Sequence, residues 1–142
     1  MERLLVALAI VVVAVAVASV ARRRRSDPPT QPVGAVPAQL DRADFARPDA
    51  DWLVAVFTSA TCESCADVAR KAEVLASDDV AVAEIQYQTN KDVHARYAID
   101  AVPLLVIADG AGVVRRSFVG PVSATDLWAA VAAARDEDGP SA

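Results

Sequence analysis

Residues Leu4 to Ala21 read LLVALAIVVVAVAVASVA, 18 positions in which Ser19 is the only polar side chain. A helix with no polar face must be surrounded by apolar material on all sides. At 1.5 Å per residue it spans about 27 Å, close to the hydrocarbon thickness of a bilayer. Ala16-Val17-Ala18 satisfies the small-residue rule of a signal-peptide cleavage site. Against cleavage, the apolar stretch exceeds the usual signal core, and the residues before it offer only Arg3, offset by Glu2. Arg22, Arg23, Arg24 and Arg25 then follow the run directly. An uncleaved single-pass anchor is therefore expected, with the membrane engaged through residues 4–21. Flanking arginines tend to stay in the cytoplasm, which puts everything after Arg25 on that side of the cell membrane.

The rest of the chain divides by composition. Residues 1–25 form the anchor with its basic flank. Residues 26–39 hold Pro28, Pro29, Pro32 and Pro37, half of the eight prolines, and read as a semi-extended linker. Residues 40–135 carry strand and helix patterns and form the one domain. Residues 136–142 read as a disordered acidic tail. From Asp44 onward 16 acidic residues face 8 basic ones, a balance of −8. Such a surface lacks the cations that neutralise phosphates, so nucleic acid is not an expected partner.

Within the domain, Trp52 to Phe57 (WLVAVF) is a continuous apolar run, the mark of a strand covered on both faces. Cys62 to Ser77 shows helical spacing, and Val80 to Tyr87 reads as a second strand. Asn90 is placed to open a short helix through Tyr97. Leu104 to Ala108 and Val113 to Val119 are strands joined by Asp109-Gly110-Ala111-Gly112. Ser123, with Asp126 three residues on, opens a last helix. Strand–helix–strand implies parallel pairing and the closing hairpin antiparallel pairing, so the sheet is expected to be mixed.

Cys62 and Cys65 are the only cysteines. Spaced i and i+3 at a strand-to-helix junction, they stand near enough for a disulfide. The helix N-terminus would stabilise a thiolate at Cys62, making it the nucleophile and Cys65 the resolving thiol. Zinc takes four protein ligands, or three with water, and only His94 could join these two, so an intrachain metal site is not expected; a metal shared between two chains stays open. Two idle core cysteines are the blander alternative.

Residues 40–135 resemble the thioredoxin family. The resemblance rests on Cys62-Glu63-Ser64-Cys65 at the turn, then Tyr97-Ala98-Ile99-Asp100-Ala101-Val102-Pro103, a strand, a hairpin and Gly120. It implies an α/β fold, here a mixed four-stranded sheet flanked by helices, with a cis Val102–Pro103 bond facing the cysteines. It also implies that the Val102 backbone pairs with substrate, that protein disulfides are the substrates, that an unidentified donor supplies electrons, and that no cofactor beyond the redox-active disulfide is bound.

The departures from that pattern carry as much information. Thr61 and Glu63-Ser64 replace the tryptophan and Gly-Pro of WCGPC. Glu63 puts negative charge beside Cys62, which should raise its pKa and give a more reducing thiol. The family's buried aspartate six residues before the nucleophile is replaced by Val56. Glu84 shares a strand face with Val80 and Val82 and is expected to supply the missing carboxylate, deprotonating Cys65 directly or through water. A solvent-exposed glutamate paired with an arginine is the alternative. His94 reads as a surface histidine, Trp52 and Trp128 as core or edge packing, and Asp78-Asp79 and Arg115-Arg116 as solvated turns.

The reading is a membrane-tethered thiol–disulfide oxidoreductase. Two alternatives stay open: a redox-inactive or redox-sensing interaction module, and an extracytoplasmic factor in cytochrome or cuproprotein assembly, which requires the opposite orientation.

Overall fold

A computed structural model of the chain describes residues 1, 11–15 and 36–137. Residues 11–15 are helical, and the remainder of the apolar run, the four arginines and most of the linker lie outside the described residues. Among the described residues no helix is long and apolar enough to cross a membrane.

The folded part runs β1 (Trp52–Thr58), α1 (Cys65–Glu73), β2 (Val80–Gln86), α2 (Lys91–Arg96), β3 (Leu104–Asp109), β4 (Val114–Val119) and α3 (Ala124–Glu137). The sheet has the order β2-β1-β3-β4. β1 pairs parallel with β2 and antiparallel with β3, and β3 pairs antiparallel with β4. This is the mixed sheet expected from the sequence.

The continuous apolar run of β1 is explained by its position. Every residue of the strand is buried. Because side chains alternate across a strand, Trp52, Val54 and Val56 join Val68 and Ala72 of α1 and Leu127, Val131 and Ala134 of α3 on one face. Leu53, Ala55 and Phe57 join Leu40, Phe45, Leu104 and Val106 on the other, with Val93 and Tyr97 packed against them.

The chain preceding β1 is fastened by polar contacts. The Leu40 amide donates to Gly112 O at 2.8 Å, and Gln39 bridges Val113. Buried Arg42 donates to the carbonyls of Ala50, Asp109 and Arg47 at 2.9, 3.1 and 3.2 Å. A guanidinium has enough donors to hold three backbone carbonyls at once.

Four expectations need correction. The first helix starts at Cys65, not Cys62, because Ser64 takes the N-cap position and residues before it turn. His94 is buried at 3% exposure, its Nε2 2.8 Å from Ile85 O and its ring edge-on to Phe57 and Tyr87. Arg115 and Arg116 lie within β4 rather than in a turn, paired with Asp109 and Glu137. α3 stays helical through Glu137, two residues into the stretch expected as tail, and Glu137 is the partner of Arg116. Residues 138–142 lie outside the described residues.

Candidate redox site

The site lies where β1 ends. Residues 59–64 leave the sheet, and α1 begins at Cys65. Cys62 and Cys65 are joined by a disulfide, with their Cα atoms 5.5 Å apart. Cys65 is buried at 2% exposure on the first turn of α1, whereas Cys62 is only partly covered. The asymmetry suits the two chemical tasks: an attacking sulfur must be reached from outside, and a resolving one need only reach its neighbour. The hydroxyl of Ser64 lies 3.9 Å from Cys62 Sγ. Glu63 is exposed between the cysteines.

Val102–Pro103 is a cis peptide bond, as the family resemblance implied. β1 and β3 are antiparallel with Phe57 opposite Leu104, so Pro103 stands at the sheet end from which the cysteine loop departs. Pro103 O accepts from the Gly120 amide at 2.8 Å. Gly120 has φ +88°, a conformation that costs glycine least.

Glu84 sits directly opposite Val56 in the β1–β2 register. Its carboxylate thus occupies the sheet neighbourhood of the position where the family's aspartate is missing. The side chain is exposed rather than buried. Its Oε1 accepts a 2.8 Å hydrogen bond from the hydroxyl of Thr58, which is itself 1% exposed. Glu84 also lines a cavity of about 570 Å³ with Val56, Val82, Ala66 and Ala69, and Ala66 directly follows Cys65. The arginine partner of the alternative reading is not the contact formed; the partner is a hydroxyl from the adjacent strand.

Sequence reasoning passed over Gln88. Its Oε1 accepts from the Ala60 amide and its Nε2 donates to Ser59 Oγ, both at 3.0 Å. A polar residue in a Gln-Thr-Asn turn carries no sequence signal for such a contact, since the partner lies 28 positions away.

A mixed sheet covered on both faces, a cysteine pair at the mouth of a strand-to-helix turn and a cis-proline at the same sheet end define a dithiol–disulfide domain. The Thioredoxin family model matches residues 39–133, and the chain belongs to that family. A thioredoxin variant of Halobacterium salinarum is similar at 26% identity and a TM-score of 0.56, over 69% of this chain and 86% of its own. A thioredoxin of Fasciola hepatica is similar at 25% identity and a TM-score of 0.52, over 61% of this chain and 83% of its own. A malarial protein at 13% identity and a TM-score of 0.53, over 58% and 96% respectively, shares the fold. No curated protein matches the sequence.

Proposed function

We propose that the protein is a membrane-tethered thiol–disulfide oxidoreductase acting on protein disulfides. The observation that carries this reading is the bonded Cys62–Cys65 pair, one sulfur reachable and the other buried at the start of α1. In the reducing direction the Cys62 thiolate attacks one sulfur of a substrate disulfide. That S–S bond breaks, the departing substrate thiolate takes a proton, and a mixed disulfide forms. Glu84 then accepts the Cys65 proton, directly or through water in the adjoining cavity. The Cys65 thiolate attacks Cys62 Sγ, expelling the second substrate thiolate as the Cys62–Cys65 disulfide closes. The substrate gains the two electrons that the dithiol loses, and an unidentified electron donor resets the pair. Val102 and Pro103 hold the substrate chain. No bound cofactor takes part, since the two sulfurs carry the electrons.

The tether is residues 4–21. With Arg22 to Arg25 on its cytoplasmic flank, the domain faces the cytoplasm. Two experiments test the reading. Full-length protein with Cys65→Ala should accumulate mixed disulfides in cells that vanish when Cys62→Ala is added. A folded variant that traps nothing leaves only the interaction-module reading. A reporter fused to the C-terminus should be active in the cytoplasm and the protein should sediment with membranes. Activity on the outer side instead favours the extracytoplasmic assembly factor.

A further inference from the structure

We propose that Gln88 is a positioning residue that holds the loop before Cys62 in the shape required to close the Cys62–Cys65 disulfide. The proposal deepens the exchange reading above and rests on it.

The β1–β2 ladder ends where the Tyr87 amide donates to Thr58 O at 2.8 Å. Past this point the chains diverge, and the Gln88 side chain continues the pairing. Its carboxamide bridges Ala60 N and Ser59 Oγ, both at 3.0 Å. A backbone N–H can only donate, so the carboxamide oxygen must face Ala60, and the amide orientation is fixed by chemistry. The grip reaches the cysteine through the backbone: Ser59 O accepts from the Cys62 amide at 3.1 Å.

Gln88 is exposed, and exposed amides usually prefer water. Here the base of the side chain is already ordered. Asn90 returns two bonds to Gln86 O, from its amide at 3.0 Å and its side chain at 3.1 Å. Buried His94 meets Ile85 O at 2.8 Å beneath the same turn. Holding an already rigid support costs little further entropy, so both bonds are retained as stabilisation of the loop.

In the oxidised protein the disulfide also restrains this loop; in the dithiol, Gln88 is the side chain that bridges it to the end of β2. Releasing it lets Cys62 wander from Cys65 and lowers the probability of ring closure. The effect belongs to the equilibrium between dithiol and disulfide.

The test is the reduction potential of the purified full chain, equilibrated against glutathione, for wild type, Gln88→Met and Gln88→Glu. Methionine fills the same space with neither bond. Glutamate restores the acceptor for the Ala60 amide. Gln88→Met is expected to weaken disulfide closure about fivefold, about 20 mV toward more oxidising values, while Gln88→Glu recovers most of it. A shift below twofold in Gln88→Met overturns the proposal, as does a Gln88→Glu potential equal to that of Gln88→Met. Melting temperatures of the oxidised forms, taken alongside, separate this from general destabilisation. Both readouts are independent of turnover. A wild type that reduces no protein disulfide, yet shows the expected potentials, sinks the oxidoreductase reading and leaves the positioning inference standing.

Discussion

A carboxylate held by a buried hydroxyl is the residue-scale feature that most distinguishes this site. Thr58 donates to Glu84, and the cavity beside them reaches Ala66, next to Cys65. Glutamine at position 84 keeps an acceptor for Thr58 but cannot take a proton. On the proposed role, Glu84→Gln is expected to slow resolution of the mixed disulfide about tenfold and to change its pH profile, with the fold intact. Single-turnover kinetics across pH check this, and an unchanged rate and profile assign the proton transfer to bulk water. A second prediction concerns Asp44, which accepts from Tyr97 Oη and pairs with Arg96. The Tyr97 hydrogen bond, followed by Arg96, holds its carboxyl below the ordinary value. A depressed carboxylate contributes stability that is present above its unfolded value near 4 and lost as pH falls through its folded value. Tyr97→Phe should cost about 1 kcal/mol at pH 7 and progressively less below pH 4, as read by urea denaturation at each pH. The cysteine pair and the strand face of Glu84 were legible in the sequence because each depends on local spacing, and the cis-proline was legible only through the family resemblance. Gln88 and the burial of His94 were not, because both depend on which distant strand the turn lies against.

Element boundaries followed the hydrophobic pattern wherever one face was covered, and slipped where a cap decided. Cys62-Glu63-Ser64-Cys65 holds no strong signal for its helix start. Ser64 serves as N-cap without a side-chain cap bond, so the periodicity of α1 could be read but its first turn could not. At α3 the signal was explicit and the structure follows it: the Asp126 amide donates to Ser123 Oγ at 3.0 Å, and the Ser123 hydroxyl donates to Asp126 Oδ2. Ser123→Ala is expected to cost about 1 kcal/mol by thermal or chemical denaturation. The β3–β4 turn is less forgiving. Gly112 has φ +83°, and a Cβ there would come within 1.9 Å of Leu40 O. Its own carbonyl accepts from the Leu40 amide, so the contact that excludes a side chain also fastens the segment before β1. Gly112→Ala should destabilise the domain by about 2–4 kcal/mol, whereas the same change at Gly120, where no atom lies within 4 Å of the added carbon, meets only the backbone penalty of about 1–2 kcal/mol.

At the scale of the whole domain, the fold and the Cys62–Cys65 bond rest on separate structures. The fold is held by the two apolar layers on either side of the sheet, with β1 contributing alternate side chains to both. The disulfide closes a loop between residues only three apart in sequence. Loop-closure entropy grows with loop length, and for so short a loop the chain-entropy relation gives about 2 kcal/mol. Burial of a single core valine contributes a similar amount, so the bond is a minor part of what keeps the chain folded. A protein that cycles between dithiol and disulfide needs this division, because a fold dependent on the bond would unravel at each turnover. Reduction is therefore expected to lower the melting temperature by several degrees, leaving a cooperative transition and unchanged far-ultraviolet circular dichroism. Val68→Ala, which empties a fully buried position under α1, should cost about 2–3 kcal/mol in the oxidised and reduced forms alike. If reduction instead abolished the transition, the disulfide would be the structural brace of an interaction module. The Cys62–Cys65 pair could not then serve as a catalyst that is opened and closed.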